Sequence, residues 1–503
     1  MHLLLPLRII RRYSSIPTAT VSATVPVSSA KAEESAAALG ALASLLTSTM
    51  ASASASASAS VSPSPSPSHS SFSQSHSQSK AEASWTATMA QAQNVVDRSG
   101  PSTTDSIINP QQLLGSDLAL LTENIRKLLG ADHPVLKSVA SYYFMGTGGK
   151  HIRPMLVLLV AQASALTTAS SSRQVLSDSL IDKPVSPQCT IKFDPSTTAS
   201  SSSASSILPT QRRLAEITEM IHTASLLHDD VIDASLTRRS KPSVNAEYGN
   251  KMAILAGDFL LSRASIALAR LRNIEVVELL STVISNLVEG EFMQLRNSAK
   301  AKDPSAGLNK TNAHDSLDTP APESLVPTRR SYPLFSSNVA TARFEYYLTK
   351  TYMKTASLIA NSCRASAVLG GCNEVVAEAV YHYGKSLGLA FQVVDDMLDF
   401  TVTADEMGKP VNADIKLGIA TAPVLYAAEE FPELDQAIER NFKHEGDDAL
   451  ALKLVHASQG ISRTRALAAA YCAEAVDAIS ILPDSDAKRV LIQLTEAVLT
   501  RKT

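Results

Sequence analysis

The sequence predicts an all-α protein built on a single large helical bundle domain, and three observations support this. Apolar residues recur at helical spacing through most of the region that follows Ile107. Alternating apolar and polar residues, which are typical of strands, are absent from that region. When the low-complexity stretches are set aside, roughly 310 residues remain, the size of one large helical domain.

The helices are predicted in order along the chain. The first, Pro110–Leu129, carries seven Leu and Ile residues at helical spacing. The helix that follows the two glycines is predicted to begin at Pro154, because proline is favoured in the first turn of a helix. Helices are predicted at Val135–Met145, Pro154–Ala165, Arg212–Asp233, Lys251–Leu271, Ile274–Gln294, Phe344–Leu369, Val375–Phe400 and Thr421–Ala428, with three more before the end.

Composition excludes several classes of protein. The chain of 503 residues has 45 Lys and Arg against 48 Asp and Glu, and this balance argues against a nucleic-acid partner. Its four cysteines form no Cys-x-x-Cys pair, which excludes a Cys-rich zinc site and fits a reducing compartment. No uninterrupted apolar run reaches the roughly 18–20 residues that span a bilayer, so we expect no integral membrane protein.

The region before the bundle is predicted to contain a targeting peptide followed by a disordered leader. Residues 1–30 contain Arg8, Arg11 and Arg12 and no acidic residue, which is typical of a mitochondrial transit peptide. A secretory signal, or a terminus without targeting meaning, is the alternative. Residues 31–106 are rich in Ser, Ala and Pro and are predicted to be disordered.

Two low-complexity insertions interrupt the predicted domain, which covers residues 107–503. They lie at about 166–206 and 298–340, and the first ends in a run of serines. Long segments without secondary structure are surface loops or functional lids. Surface loops are favoured, since neither insertion contains a dense carboxylate or basic cluster.

Two aspartate clusters carry the chemistry that the sequence indicates. Asp229, Asp230 and Asp233 end one apolar helix, and Asp395, Asp396 and Asp399 lie near the end of another. Carboxylates at i and i+4 share a helix face and repel each other unless a cation lies between them. A solvated acidic face is the alternative for one cluster alone. Two clusters of this pattern favour Mg²⁺ sites, which use hard oxygen ligands.

Cationic residues near these clusters indicate phosphate ligands. Lys150 and Arg153 follow two glycines, and Arg238-Arg239 follow the first cluster. Lys and Arg together suit a diphosphate, although a solvated loop and a surface ion pair are the alternatives. Two metal sites and several cationic sites predict two polyanions bound at once.

These residues resemble the trans-isoprenyl diphosphate synthase family, and with the predicted transit peptide they resemble its mitochondrial long-chain polyprenyl members. The resemblance covers about residues 107–503 apart from the insertions. It rests on Gly-Gly-Lys-x-x-Arg-Pro, the first aspartate cluster with its two arginines, Lys354-Thr355, and Phe391-Gln392 before the second cluster. It departs from the family where Leu417–Pro423 lacks a usual Lys and where Ser240 replaces a common Gly.

The resemblance implies a role for each matching residue. Isopentenyl diphosphate would be held by Lys150, Arg153, His222 and Arg239. The allylic diphosphate would be held by Arg238, Lys354, Thr355, Gln392 and Lys409. Two or three Mg²⁺ ions would be bound by Asp229, Asp230, Asp233, Asp395 and Asp399, and the catalytic residues would be Asp229, Asp233, Lys354, Asp395 and Asp399.

The resemblance also implies an activity and its setting. Isopentenyl diphosphate would be added head to tail to an allylic diphosphate such as farnesyl diphosphate. Small residues at Ala224 and Ser225 would leave room for C30–C50 products, which serve as ubiquinone side chains. A homodimer in the mitochondrial matrix is expected, while a heteromer with a paralogous subunit and peripheral contact with the inner membrane stay open. The alternatives are a head-to-head coupling enzyme or terpene cyclase, and a non-catalytic regulatory subunit.

Overall fold

The computed structural model describes residues 108–129, 134–144, 151–168, 176–186, 206–238, 241–300, 338–401 and 413–501. The predicted transit peptide, the leader and most of the second insertion lie outside the described residues. Almost every described segment is helical, so the predicted all-α fold is confirmed.

The helices of the first half precede and include the first aspartate cluster. They are α1 (Pro110–Ala119), α2 (Leu121–Leu129), α3 (Pro134–Ser141), the 3-10 turn Tyr142–Phe144, α4 (Ile152–Ala165), α5 (Asp178–Ile181), α6 (Pro209–Ile232), α7 (Val244–Tyr248), α8 (Asn250–Arg270) and α9 (Ile274–Lys300). Two-residue strands, β1 (Thr237–Arg238) and β2 (Lys241–Pro242), pair antiparallel between α6 and α7.

The helices of the second half include the second aspartate cluster. They are α10 (Asn338–Thr351), the π-helical turn Tyr352–Ala356, α11 (Ser357–Leu369), α12 (Glu374–Thr401), α13 (Ala413–Lys416), α14 (Ala422–Glu430), α15 (Glu433–Glu439), α16 (Asp447–Ala457), α17 (Gly460–Ala478), the 3-10 turn Ile479–Ile481 and α18 (Asp486–Thr500). After α14 the described chain therefore has four α-helices where three were predicted.

Two helix boundaries differ from the prediction because of local backbone geometry. The predicted helix Pro110–Leu129 is divided into α1 and α2, and Gly115 inside α1 has a non-helical backbone with φ of 47°. Helix α4 begins two residues before Pro154, after His151, which adopts a left-handed conformation with φ of 41°. Arg153 therefore lies inside the first turn of α4 instead of in the preceding loop.

The first insertion contains structure that the sequence did not predict. Within its described part, residues 176–186, lies the short helix α5, and Ile181 is only 1% exposed. Asp182 accepts a hydrogen bond from Arg213 Nη1 at 3.0 Å through its side chain and one from Arg270 Nη1 at 2.8 Å through its carbonyl. This part of the insertion is consequently attached to α6 and α8.

Helices α12, α11 and α6 form the centre of the bundle. Helix α12 packs against α17 and α11, and α6 packs against α8 and α4. Gly388 permits the close approach of α12 to the π-helical turn, because a Cβ atom there would lie 2.6 Å from Ala356 Cα. The two aspartate-bearing helices are thus joined through α11, which contacts both.

Helix α8 is the one described helix that is long and apolar enough to span a membrane by length and composition. The sequence predicts this helix, as Lys251–Leu271, but not that it passes the membrane-span test, because charged residues interrupt its apolar runs. Core helices of soluble proteins pass the same test, and α8 packs on α6 along one side. Only 44% of its apolar window is buried, so a substantial apolar face remains on the surface.

Candidate active site

The first aspartate cluster lies at the carboxyl end of α6, a helix that is mostly buried. Proline at its first position and Gln211 Oε1, which accepts the Leu208 N–H at 2.9 Å, start the helix. A partly exposed stripe on the buried helix contains His222, Ser225 and Asp229, which follow helical spacing. Functional side chains predicted from three separate arguments therefore share one helix face.

The carboxylates of this cluster are held in an unfavourable ionic state. Burial, Glu291 and Asp233 raise the pKa of Asp229 to about 6, against the opposing effect of Lys354. The pKa of Asp233 is raised by burial and by Glu291. The cation site predicted here stays a prediction, and Glu291 of α9 is a further acid that acts on both aspartates.

Lys354 and Thr355 lie in the π-helical turn between α10 and α11. Lys354 Nζ forms an ion pair with Glu291 and donates a hydrogen bond to Gln294 Oε1 at 3.0 Å. Thr355 Oγ1 donates to Gln392 Oε1 at 2.9 Å. Single π-helical turns are frequent at functional sites because they reposition side chains within a helix. Here the turn links the first cluster with α12.

The second cluster lies near the carboxyl end of α12, and its three aspartates differ in environment. Asp395 is partly exposed and pairs with Arg501. Asp396 is 5% exposed and accepts from Tyr347 Oη at 2.6 Å and from Gln392 Nε2 at 2.8 Å. Asp399 is buried and accepts from two backbone N–H groups at the start of α13, each at 3.3 Å.

A fourth acid, Asp414 of α13, belongs to this cluster. Burial, Asp396 and Asp399 raise its pKa, and burial also raises the pKa of Asp396. Burial lowers the pKa of Lys350, which is 9% exposed, while Asp396 and Asp414 oppose that effect. The second cluster therefore includes two ionisable residues, Asp414 and Lys350, that were not predicted from the sequence.

One set of side chains joins the two clusters electrostatically. Lys354 and Glu291 influence the pKa of Asp229, and the same two residues influence the pKa of Lys350. Lys350 in turn interacts with Asp396 of the second cluster. Hydrogen bonds link the same elements, because Thr355, next to Lys354, donates to Gln392, which donates to Asp396. That both clusters act on one substrate stays a prediction.

The residues expected to hold isopentenyl diphosphate are partly described. Arg153 Nη1 lies 3.0 Å from His222 Nε2, so the structure brings these two together. Beside them, His151 Nδ1 lies 3.3 Å from Glu219 Oε1. Of the remaining predicted site residues, three lie outside the described part of the chain, namely Lys150, Arg239 and Lys409.

Asp230 and Arg238 bind each other. Arg238 donates from Nε and Nη2 to both carboxylate oxygens of Asp230 at 2.7–3.0 Å, and Tyr143 Oη donates to Asp230 as well. Asp230 is 1% exposed. Its assignment as a metal ligand stays a prediction, but the geometry favours Asp229 and Asp233 for that role.

The donor set suits magnesium. Among the described residues, no group of three Asp, Glu, His or Cys side chains is close enough to hold a metal alone. An ion between Asp229 and Asp233, or at Asp395 and Asp399, would take its other oxygen ligands from a diphosphate and water, which is how Mg²⁺ binds phosphates. Burial and neighbouring acids raise the pKa of Asp229, and a bound cation would oppose that rise.

Comparison with known proteins decides the family. The polyprenyl synthetase family profile matches residues 133–314 and 331–456. The chain belongs to this family. A probable mitochondrial hexaprenyl pyrophosphate synthase of Neurospora crassa is 49% identical over 429 residues, covering 83% of this chain and 88% of the relative.

A second relative and a solved structure agree with this polyprenyl synthetase assignment. Decaprenyl-diphosphate synthase subunit 1 of Schizosaccharomyces pombe is 41% identical over 394 residues, covering 78% of this chain and 92% of the relative. The crystal structure of a polyprenyl synthase from Caulobacter crescentus, complexed with calcium and isoprenyl diphosphate, has a TM-score of 0.57 and 26% identity. It covers 80% of this chain and 100% of the solved chain.

Several residues that contact the two clusters or their partners were not predicted from the sequence, namely Tyr143, Glu291, Gln294, Tyr347, Lys350, Asp414 and Arg501. Glu291 carries a detectable signal, because it is an acid in the repeat Glu289-Gly290-Glu291 within an apolar helix. Tyr143, Tyr347 and Lys350 carry no such signal in the sequence, since their spacing resembles that of an ordinary helix face. Only the packing of α10 against α12 brings Tyr347 to Asp396.

Proposed function

We propose that this chain is an all-trans-polyprenyl diphosphate synthase that requires Mg²⁺. It adds isopentenyl diphosphate head to tail, by 1'-4 condensation, to an allylic diphosphate such as farnesyl diphosphate, and it makes C30–C50 chains for ubiquinone. The observation that carries this proposal is the π-helical turn between the clusters: Lys354 acts on the pKa of Asp229, and its neighbour Thr355 is hydrogen-bonded through Gln392 to Asp396.

The chain's own cations bind and orient the two diphosphates. Lys354 lies beside Asp229 and Asp233, where an allylic diphosphate would meet the acidic helix ends. Arg153 of α4 lies against His222 on the partly exposed stripe of α6, and these two would hold isopentenyl diphosphate together with Lys150. When bound, two or three magnesium ions supply the positive charge that joins the diphosphate to Asp229, Asp233, Asp395 and Asp399.

The reaction breaks the allylic C1–O bond heterolytically, and the bonding electron pair leaves with diphosphate. The double bond of isopentenyl diphosphate attacks the allylic cation and forms the new carbon–carbon bond. A proton is then lost from the former isopentenyl unit to the departing diphosphate, which restores a double bond. Lys354 stabilises the charge that develops on the leaving group, and such preorganised stabilisation is the largest contribution in many enzymes.

Product length depends on the face of α6 below Asp229. Ser225 lies on the partly exposed stripe one turn from Asp229, and its hydroxyl donates to His222 O at 2.9 Å. Ala224 is fully buried beside it. Both side chains are small, so a growing polyprenyl chain would have room along this helix.

The surface of α8 and α9 supports an assembly of two copies. These consecutive helices contact each other and expose large apolar side chains, including Leu255 (55% exposed) and Phe292 (69% exposed). Exposed apolar patches of this kind mark protein interfaces. A homodimer through α8 and α9 is proposed, and a heteromer with a paralogous subunit is the alternative, which the name of the Schizosaccharomyces pombe relative favours.

The enzyme is mitochondrial, as its Neurospora crassa relative is named. Residues 1–30 are proposed as the transit peptide, residues 31–106 as a leader, and residues 107–503 as the synthase domain with two insertions. Peripheral association with the inner membrane is proposed because the products are strongly apolar.

Product analysis tests the proposed function. The purified chain is incubated with farnesyl diphosphate, isopentenyl diphosphate and Mg²⁺, and the products are identified by mass spectrometry. Products of six to ten isoprene units support the proposal. A head-to-head dimer or a cyclic terpene would establish the alternative enzyme class, and activity seen only after adding a paralogous subunit would establish the heteromer or regulatory alternative.

A further inference from the structure

The two aspartate clusters share a structural feature that involves paired tyrosines. The chain contains two pairs of consecutive tyrosines, Tyr142-Tyr143 and Tyr346-Tyr347. Each pair is distant from the aspartates in sequence, but one tyrosine of each pair contacts a cluster in the fold. In each pair the second tyrosine donates its hydroxyl proton to the second aspartate of a cluster: Tyr143 binds Asp230, and Tyr347 binds Asp396 at 2.6 Å. These tyrosines come from the 3-10 turn Tyr142–Phe144 and from α10.

The first tyrosine of each pair makes a different contact. Tyr142 Oη donates to Pro242 O at 3.2 Å, and Tyr346 Oη donates to Met293 O at 2.8 Å. Each pair therefore has one hydroxyl on a backbone carbonyl and one on a cluster carboxylate. This arrangement supplies matched controls within the same local fold.

We propose that Tyr143 and Tyr347 are positioning residues that set the direction of the metal-binding carboxylates. Asp230 and Asp396 are 1% and 5% exposed, and each also accepts from a second donor, Arg238 or Gln392. At each cluster the tyrosine comes from a neighbouring element, so its hydrogen bond ties the carboxylate, and the helical turn that carries it, to that element.

The position of that turn decides where the flanking aspartates point. Asp229 and Asp233 lie one residue before and three after Asp230 on α6, and Asp395 and Asp399 flank Asp396 in the same way on α12. With the second aspartate held by its donors, Asp229 and Asp395 are partly exposed and Asp233 is exposed, while Asp399 is buried against the start of α13. Partners that orient ligands in this manner typically contribute 10–100-fold to metal affinity or activity.

The second cluster has an additional link. Gln392 donates to Asp396 and accepts from Thr355, so Tyr347, Asp396, Gln392 and Thr355 form a continuous hydrogen-bonded chain. This chain connects α10 to the π-helical turn that carries Lys354. Loss of the Tyr347 hydroxyl therefore affects the second cluster and the diphosphate-binding turn together.

The test compares Tyr143→Phe and Tyr347→Phe with the controls Tyr142→Phe and Tyr346→Phe. Since the inference rests on the proposed function, two measurements are made: the Mg²⁺ concentration that gives half-maximal prenyl transfer, and Mn²⁺ binding in the presence of inorganic pyrophosphate, which needs no turnover. Thermal unfolding of the metal-free protein reports any general loss of stability.

We expect both measures of metal affinity to weaken by about 10-fold or more in Tyr143→Phe and Tyr347→Phe, and to remain near wild type in the controls. Unfolding midpoints are expected to fall by similar amounts in all four variants. Metal affinities equal to those of the controls would overturn the positioning role, as would a loss that merely follows the unfolding midpoint. If the wild type binds Mn²⁺ but forms no polyprenyl product, the proposed function fails while the positioning role is still tested by binding.

Discussion

Replacing Lys354 by Met tests the cation at the centre of the site. Lys354 Nζ contacts Glu291 and Gln294 and lies beside Asp229. A unit charge about 4 Å from a diphosphate oxygen, at an effective dielectric constant of about 20, contributes about 4 kcal/mol. Since the leaving group gains charge in the transition state, we expect kcat to fall about 10²–10³-fold.

The same substitution also changes the ionisation of its neighbours. Lys354 lowers the pKa of Asp229, so its removal should move the acidic limb of the pH–rate profile to higher pH. The assay is single-turnover condensation of farnesyl and isopentenyl diphosphates between pH 5.5 and 8.5, with Lys453→Met, an exposed lysine of α16, as the control. A kcat within about fivefold of wild type, together with an unshifted acidic limb, would refute the role of Lys354.

Three further predictions follow from the site. Asp229→Ala should lower kcat by orders of magnitude while the circular dichroism spectrum and unfolding midpoint stay near wild type, and near-normal turnover would contradict the metal assignment. Ala224→Tyr should shorten products toward C15–C20 in mass spectra, whereas unchanged C30–C50 products would remove this position from the chain path. Burial and like charge raise the pKa of Asp414 to about 8, so its stabilising contribution is fully present below the ordinary aspartate pKa of about 4 and is lost progressively as the pH rises from there to about 8. In EDTA, Asp414→Asn should therefore flatten the dependence of the unfolding midpoint on pH between 5 and 8, and an unchanged slope would exclude this cause.

Helical periodicity was sufficient to predict the fold class, and local motifs were sufficient to select the two aspartate clusters of the candidate site. The two aspartate clusters are residue types at fixed spacing that the sequence displays directly, whereas Arg153 and His222, which lie 3.0 Å apart, were named together only through the family resemblance. The π-helical turn at Lys354 was not predictable, because its sequence continues a helical pattern and only hydrogen-bond register distinguishes it.

Residues that act through tertiary packing were also missed. Tyr347 reaches Asp396 only because α10 packs beside α12, and no local pattern encodes that contact. Asp414 follows the second cluster by fifteen residues, yet its backbone N–H reaches Asp399. Helix boundaries shifted where a single residue adopts a left-handed backbone, as at His151, which periodicity cannot detect.

The attachment of α5 to the bundle limits how this protein can be shortened. Arg270 is almost fully buried at the end of α8, and the carbonyl of Asp182 is one of its acceptors. A deletion of the whole first low-complexity region would remove that acceptor and the Ile181 side chain at once. A trimmed variant for crystallisation should therefore keep residues 176–186 and join the chain on either side of them.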